Sequence, residues 1–257
     1  MGLIYANSFL RYKIVTKENL LLVEKNTDRQ KSLSAMNIGK VVTTDDPLIT
    51  ECNIVILAVK PQDFKELAQS LKNVINANCV VLSIMAGTQI SFIQSELNHL
   101  LVVRAMPNLP VEISIGMTAF SSSDELSHEK IMLVENLLST TGRTLYLKDE
   151  QQLNAVTALS GSGPAYFFYF MKHIIEAGIS MGLEEHVSSI LAKQTMLGAF
   201  HLINNGQKTL DEYITSVSSK GGTTEAALKT FDEHDMGHVI IKALQNAESR
   251  AKELSVK

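Results

Sequence analysis

Short, wholly apolar runs alternate with amphipathic segments over the first 110 residues of the chain. The apolar runs are typical of strands buried on both faces of a parallel sheet, and they lie at 20–24, 41–42, 53–59, 79–84 and 101–105. The amphipathic segments have apolar residues at helical spacing, and they lie at 2–14, 28–36, 62–75 and 91–97. This alternation predicts a doubly wound α/β sheet with a helix between successive strands.

The pattern changes after this region. Residues 115–148 predict two more strands, at 116–120 and 143–147, around a helix at 124–139. From Glu150 onward the sequence predicts helices only, at 150–159, 163–181, 184–204, 209–217, 223–234 and 237–254. We therefore predict two domains, a dinucleotide-binding domain at 1–149 and an all-helical domain at 150–257.

The helix at 163–181 is apolar nearly all round. Lys172, His173 and Glu176 interrupt it, which favours a helix buried in protein over a membrane span. A helical domain of about a hundred residues can hardly cover such a helix within one subunit. We expect an obligate homodimer with intertwined C-terminal helices, the alternative being a central helix buried in a monomer.

Composition narrows the class of protein. The chain has 257 residues, a net charge of −4 and no basic run, so we expect no nucleic-acid partner. Cys52 and Cys79 lack metal-ligand spacing and predict free thiols in a reducing compartment, with no metal site. Residues 1–10 do not resemble a signal peptide. We expect a cytoplasmic protein that does not bind membranes.

Polar, kinked or glycine-bearing segments follow four of the predicted strands. Ligands of doubly wound sheets bind at the carboxyl ends of strands, so four such segments on one edge indicate a nucleotide crevice. They are Glu24-Lys25-Asn26, Ala58-Val59-Lys60-Pro61, Met85-Ala86-Gly87 and Met106-Pro107-Asn108.

The stretch 216–228 predicts a second binding element, because two glycines precede a helical pattern. We expect Gly222 at the N-cap, with Glu225 as a weak capping-box partner. The amides of Thr223 and Thr224 then lack an intrahelical acceptor and suit a small carboxylate. The alternative is an ordinary helix start with a flexible Gly-Gly lead.

Four motifs, in order and at matching spacing, resemble the pyrroline-5-carboxylate reductase family. They are Ala58-Val59-Lys60-Pro61, Arg104-Ala105-Met106-Pro107-Asn108, Ser160-Gly161-Ser162-Gly163-Pro164-Ala165-Tyr166 and Ser218-Ser219-Lys220-Gly221-Gly222-Thr223-Thr224. The resemblance runs from Gly2 to about Leu254. Together the motifs are highly specific, although each alone is modest.

The resemblance implies a Rossmann-type doubly wound sheet followed by an all-α dimerisation domain. It implies reduction of 1-pyrroline-5-carboxylate to L-proline by hydride transfer from NAD(P)H, the last step of proline biosynthesis. The implied cofactor-binding residues are Gly2, Ala58, Val59, Lys60, Pro61, Ala86, Gly87, Met106 and Asn108. The implied substrate-binding residues are Glu150, Ser219, Gly222, Thr223 and Thr224. Thr224 is implied nearest the ring nitrogen, and we cast it as the catalytic group that orients the substrate and relays a proton.

The chain departs from the family pattern in three places. The family begins with a strand and a G-x-G-x-x-G loop, of which only Gly2 has a counterpart here, so we expect these parts before Met1. Glu24 lies 22 residues beyond Gly2, near the spacing of an acid that binds the NAD ribose, so NADP is expected and NAD possible. Lys220 replaces a frequent proline, and Gln207 replaces a frequent acid.

Two other functions compete with the reductase. The incomplete glycine loop is compatible with a non-catalytic dimeric relic of the fold that lacks cofactor binding. A related β-hydroxyacid dehydrogenase would need a catalytic lysine motif in the helical domain. Lys172 and Lys193 lie there without such a motif around them, so this class is disfavoured.

Overall fold

The computed structural model describes residues 1–255, which pack into two compact units. The first unit contains Met1–Ser162 together with the C-terminal stretch from Ala247, and the second is Gly163–Asn246. The predicted domain boundary between residues 149 and 150 stays a prediction. No helix within 1–255 is long and apolar enough to cross a membrane.

The strands of the first unit form two sheets. Their bounds are β1 Leu21–Val23, β2 Lys40–Val42, β3 Ile54–Leu57, β4 Val80–Ser83, β5 Val102–Pro107, β6 Gly116–Ser122 and β7 Gly142–Tyr146. The smaller sheet pairs β1 with β2, and the larger has the order β3-β4-β5-β6-β7. All pairs are parallel except β5 with β6.

The predicted doubly wound α/β arrangement is confirmed, and two strands, β6 and β7, run antiparallel to β3, β4 and β5. A parallel connection needs a crossover of a dozen residues or more, usually with a helix. The connection from β5 to β6 contains only a 3₁₀ turn at Leu109–Ile113. The chain therefore reverses and returns beside β5. The alternation of residue types did not reveal this reversal.

Helices cover the sheets of the first unit. Their bounds are α1 Gly2–Arg11, α2 Thr27–Met36, α3 Phe64–Leu71, α4 Ile90–Leu97, α5 His128–Ser139 and α6 Gln152–Val156. The end of α2 matches its prediction, because Asn37 adopts the left-handed conformation there. Helix α5 begins four residues later than predicted, because the side chain of Ser127 caps it by accepting from the Lys130 amide.

Two apolar cores lie on opposite faces of the larger sheet. Val80 and Leu82 belong to one core, which includes Tyr5 and Phe9 of α1. Val81, between them in sequence, belongs to the other core. Side chains alternate across a strand, so a wholly apolar strand serves both faces.

The second unit is helical. Its helices are α7 Gly163–Ser180, α8 Glu185–Asn205, α9 Leu210–Val217, α10 Thr223–Glu233 and the first half of α11 Met236–Ser255. Helices α7 and α8 pack closely at Gly178, where the Ser188 hydroxyl donates to the Ile175 carbonyl (2.8 Å). Yet Phe167, Phe168 and other apolar side chains of α7 are more than half exposed. The alternative of a central helix buried in a monomer is therefore wrong.

Candidate active site

The predicted cofactor residues lie at one edge of the larger sheet. Because β3, β4 and β5 are parallel neighbours, their carboxyl ends point the same way. Residues 58–61 follow β3, and Ala86 and Gly87 follow β4. Met106 is the second-last residue of β5, and Asn108 comes directly after that strand. The structure thus brings three of the four strand-end segments predicted from sequence to a common edge. The fourth, Glu24-Lys25-Asn26, follows β1 of the smaller sheet.

The start of α1 lies against the end of β3. A Cβ atom added to Gly2 would be 3.0 Å from the Ala58 Cβ, so only glycine allows this approach without a shift. The amides of Gly2 and Leu3 begin the helix and have no intrahelical acceptor, since Met1 accepts first from Ile4. Helix N-termini favour anions, so this corner suits the phosphates of a dinucleotide.

Glu24 is held rigidly where β1 ends. Its Oε1 accepts from the Asn26 amide (3.0 Å), and its Oε2 lies 3.3 Å from the Arg29 Nε. The Asn26 side chain caps α2 by accepting from the Arg29 amide. The Lys25 ammonium, 2.9 Å from the Glu66 carboxylate, has a raised pKa because of that partner. A carboxylate suits a ribose, whereas the two cations suit a 2′-phosphate, so both cofactors fit here.

The loop after β4 packs against the last turn of α11. Gly87 has φ +70°, a conformation that L side chains rarely adopt, and an added Cβ would lie 3.2 Å from the Leu254 backbone. Both the backbone conformation and the nearby backbone therefore favour glycine at this position. Sequence reasoning selected Gly87 from its place after a strand, but contact with the C-terminal helix is visible only in the structure.

A buried polar chain links β5 to three helices. The Arg104 guanidinium is 3% exposed and donates to the Glu150 Oε1 (2.9 Å). The same carboxylate oxygen accepts from the Ile90 amide at the start of α4 (2.9 Å). Arg104 also reaches the Asn154 Oδ1 (3.4 Å), which accepts from the Ser255 hydroxyl (3.0 Å). These contacts give Glu150 a structural task, and its substrate role stays a prediction.

Sequence reasoning missed Asn154 and Ser255 as members of this chain. The sequence did indicate that Arg104 has a hydrogen-bond partner, because an arginine inside the apolar run 101–105 needs an acceptor once it is buried. The sequence could not say which of many polar residues supplies that acceptor.

The end of β5 packs on an irregular turn of helix. Residues Thr157–Gly161 form a π-helix, in which the Ser162 amide donates to the Thr157 carbonyl (2.9 Å). A Cβ added to Gly161 would lie 2.5 Å from the Met106 Cε, so the glycine lets this side chain approach. Single π turns are frequent at functional sites. The helix predicted to end at residue 159 instead continues through this turn.

Asn108 anchors the segment that follows β5. Its Oδ1 accepts from the Met117 amide (2.9 Å), and its Nδ2 donates to the Ser160 hydroxyl (3.3 Å). The side-chain amide of Asn108 therefore links β6 to the π-helix. Direct contact of Asn108 with a nicotinamide stays a prediction.

In the second unit, Gly222 is the N-cap of α10, which confirms the prediction from sequence. The Glu225 carboxylate accepts from the Gly221 amide, one residue earlier than a capping box requires. Gly221 has φ +74°, and a Cβ on Gly222 would lie 2.6 Å from the Ser219 Oγ. The Gly-Gly pair thus builds a tight, specific turn, which argues against a merely flexible lead.

The predicted substrate residues of this unit share that turn. Ser219 and Thr223 are exposed, Gly222 and Thr224 are half-buried. The first amides of α10 have no intrahelical acceptor, and hydroxyl groups surround them. This arrangement can bind a carboxylate and offer a hydroxyl to a neighbouring polar atom.

The sheet order, the segments that share the strand ends and a helix start that suits an anion define a dinucleotide-dependent oxidoreductase of the Rossmann type. The family model for pyrroline-5-carboxylate reductase dimerisation matches residues 150–254, and that for coenzyme F420-dependent NADP oxidoreductases matches residues 1–87. Pyrroline-5-carboxylate reductase 1 of Bacillus spizizenii is 33% identical over 251 residues, which is 97% of this chain and 84% of the relative. The chain belongs to the pyrroline-5-carboxylate reductase family.

Other comparisons agree. The pyrroline-5-carboxylate reductase of Vibrio alginolyticus is 36% identical over 82% of this chain and 79% of its own length. The solved structure of a pyrroline-5-carboxylate reductase from Coxiella burnetii is 27% identical, with a TM-score of 0.87 over 99% of this chain and 94% of that one. The NADP-bound structure of the Plasmodium falciparum enzyme, 23% identical with a TM-score of 0.85, has the same fold over 99% of this chain and 94% of its own.

Proposed function

We propose that this protein reduces 1-pyrroline-5-carboxylate to L-proline with NADPH, or with NADH as the alternative cofactor. The observation that carries the proposal is the 33% identity to pyrroline-5-carboxylate reductase 1 over 97% of the chain. That match includes the strand-end segments of the first unit and the Gly-Gly turn of the second. The non-catalytic relic is not favoured, because the relatives are named as reductases over nearly the whole chain.

The residues of the first unit fit a dinucleotide. The free amides of Gly2 and Leu3 suit its phosphates, and the close approach of Gly2 to Ala58 keeps the helix start at the strand ends. Glu24 and its cationic neighbours suit the adenosine ribose. The other predicted cofactor residues are Val59, Lys60, Pro61, Ala86, Gly87, Met106 and Asn108. The bound nicotinamide supplies the hydride that adds to the carbon of the C=N bond.

The second unit supplies the groups that recognise the imine. The amides of Thr223 and Thr224 bind the substrate carboxylate, with the Ser219 hydroxyl beside them. The Thr224 hydroxyl orients the ring nitrogen by accepting from its N–H when the substrate is an iminium, and it relays a proton to that nitrogen when the substrate is the neutral imine. An iminium substrate becomes a neutral amine when it accepts hydride, so no strong acid is required. Glu150 is the remaining predicted substrate residue.

The apolar surface of α7 and α8 supports a homodimer. Phe168 and Tyr169 on α7, and Ile190 on α8, are each more than 60% exposed in the isolated chain. Contiguous exposed apolar surface of this kind marks an interface with another protein. Since residues 150–254 match a dimerisation family, we assign the surface to a second copy of this chain. The expected cytoplasmic location, and the absence of nucleic-acid and membrane partners, stay predictions.

Oxidation of NADPH on addition of pyrroline-5-carboxylate tests the function. Thr224→Ala removes one polar contact to the reacting ring, and we expect turnover to fall by about ten- to a hundredfold. Gly222→Val displaces Ser219 and raises the KM for substrate. Thr230→Ala is the matched control on the same helix, where the hydroxyl only binds the Ala226 carbonyl. Full turnover in both site variants, or none in the unsubstituted protein, would refute the assignment.

A further inference from the structure

The last turn of α11, which belongs to the first unit, packs on the loop that follows β4. We call residues 251–255 the terminal turn. Ala251 and Ser255 are one helical turn apart and only 5% and 6% exposed, so both face the interior of the unit. Leu254 has its side chain 47% exposed, but its backbone lies against Gly87, where an added Cβ would be 3.2 Å from the Leu254 carbonyl carbon. The contact is therefore made by backbone and depends on how firmly the turn is held.

The loop after β4 exposes Ala86 while burying the residues on either side of it. Met85 and Thr88 are 2% and 4% exposed, and Gly87 is also buried. Ala86 therefore meets solvent at the carboxyl end of β4, where dinucleotides bind in doubly wound sheets. The loop presents Ala86 at the edge of the predicted cofactor residues and Gly87 to α11.

A side-chain hydrogen bond anchors the terminal turn to the buried polar chain. The Ser255 hydroxyl lies 3.0 Å from the Asn154 Oδ1 and 2.8 Å from the Ala251 carbonyl of its own helix. Asn154 is 2% exposed, and its Oδ1 also lies 3.4 Å from the Arg104 guanidinium. Water cannot readily replace a partner lost in such a buried place. Ser255 therefore helps to decide how firmly the turn sits on Gly87.

The two ends of the loop are held without help from α11. Strand β4 is hydrogen-bonded on both sides in the larger sheet, and it fixes the start of the loop. At the other end Gln89 is the N-cap of α4 but makes no side-chain cap. The Glu150 Oε1 instead accepts from the Ile90 amide, and the Arg104 guanidinium holds that carboxylate. The terminal turn adds a contact in the middle of the loop, so losing it should loosen the loop without unfolding the sheet.

We propose that the terminal turn of α11 positions the loop after β4 for the cofactor, with Ser255 as a positioning residue. The inference rests on the proposed function, because it requires NAD(P)H at the carboxyl ends of the strands. Ser255 is buried and acts through the Leu254 backbone and Gly87 on the exposed Ala86. A loop that is already ordered loses less conformational freedom when the ligand binds, so affinity rises without a new contact.

Binding of NADPH to full-length variants tests this proposal. The Kd is measured from the change in nicotinamide fluorescence without substrate, at a temperature well below the Tm, where global stability does not affect the affinity of the folded protein. Ser255→Ala should raise the Kd about three- to tenfold, the equivalent of one net hydrogen bond. Ser139→Ala is the matched control, because Ser139 also ends a helix and its exposed hydroxyl donates to the Asn136 carbonyl of that helix (2.8 Å). Its Kd should not change.

A second pair of variants does not depend on one hydrogen bond. Ala251→Glu places a carboxylate on the buried side of the terminal turn and should raise the Kd about tenfold or more. Ser249→Glu adds the same charge at an exposed position of the same helix and should leave the Kd unchanged. In Ser255→Ala and Ala251→Glu, kcat at saturating NADPH and the KM for pyrroline-5-carboxylate should stay as in the unsubstituted protein.

Unchanged NADPH affinity in Ser255→Ala and Ala251→Glu would overturn the proposal even if their Tm falls, because the turn would then have a structural role alone. A lower kcat at saturating NADPH with an unchanged Kd would overturn it as well. If the unsubstituted protein binds NADH more tightly, NADH serves as the probe. Failure of that protein to bind either nucleotide would instead refute the proposed function, so the two failures are distinguishable.

Discussion

Glu150→Ala removes the acceptor on which the buried chain from β5 to α11 depends. The Arg104 guanidinium keeps its charge but loses the carboxylate 2.9 Å away, and the Ile90 amide loses its acceptor. Arginine cannot neutralise itself by losing a proton, so a buried unpaired charge remains. The substitution therefore loses the ion pair, and it leaves the Arg104 guanidinium and the Ile90 amide without an acceptor in a place that water reaches only partly.

The size of the stability loss in Glu150→Ala depends on how deeply the two charged side chains are buried. Removing one partner of a buried ion pair costs about 3–5 kcal/mol of unfolding free energy. The Arg104 side chain is 3% exposed but that of Glu150 is 22% exposed, so water can partly replace the carboxylate. We expect the low end, about 3 kcal/mol, and a fall in Tm of about 6–12 °C.

Circular dichroism is the suitable assay, because the chain has no tryptophan. Glu150→Gln keeps an acceptor but not the charge, and we expect a smaller loss of about 1–2 kcal/mol. Glu253→Gln removes an exposed partner of Arg250 and should cost less than about 0.5 kcal/mol. Arg104→Met combined with Glu150→Leu should recover most of the stability lost in Glu150→Ala.

The result that would refute this reasoning is a Glu150→Ala protein as stable as Glu253→Gln. A second contrary result is an Arg104→Met, Glu150→Leu protein that is less stable than Glu150→Ala. Such a result would mean that packing around Arg104, and not its unpaired charge, sets the cost.

Three further predictions concern other parts of the chain. Gly87→Ala forces a side chain into φ +70° and toward the Leu254 backbone, so thermal unfolding should show a loss of about 1–3 kcal/mol. Burial raises the pKa of the Cys79 thiol to about 12, so iodoacetamide at pH 8 should leave Cys79 unmodified in the native protein by peptide mass spectrometry. The same raised pKa means that the thiol's contribution to stability is complete below about pH 8.5, the ordinary cysteine value, and declines as the pH rises above it. Phe168→Glu should convert the dimer to a monomer in size-exclusion chromatography, whereas Tyr12→Glu, at a residue of the first unit that is also more than half exposed, should not.

Each of these has a clear contrary outcome. An unchanged Tm in Gly87→Ala would mean that the loop after β4 relaxes freely. Rapid labelling of Cys79 would show that the core around it opens. A dimeric Phe168→Glu protein would place the interface elsewhere.

Local patterns in the sequence were enough to locate most elements. The apolar run at 53–59 predicts the buried strand β3, and Asn37 predicts the end of α2, because each depends on residues adjacent in the chain. Gly222 as the N-cap of α10 is of the same kind. The four motifs identified the family, since their residues and spacing are themselves properties of the sequence.

Contacts between distant residues could not be predicted in the same way. The antiparallel direction of β6 depends on how the chain turns after Asn108. The partners of Arg104 are 46 and 50 residues away, and the contact of Gly87 with Leu254 spans most of the chain. Many polar residues of the chain have a side chain that could accept a hydrogen bond from a buried arginine, so residue type alone does not identify its partner.

The sequence by itself determined the α/β and all-α halves, the family and the candidate binding segments. Only the tertiary structure decided which buried charge meets which acceptor, and that the chain reverses direction between β5 and β6. The reason is physical: periodicity and capping act over a few residues, whereas ion pairing and strand pairing are chosen by proximity that the chain acquires only when it folds.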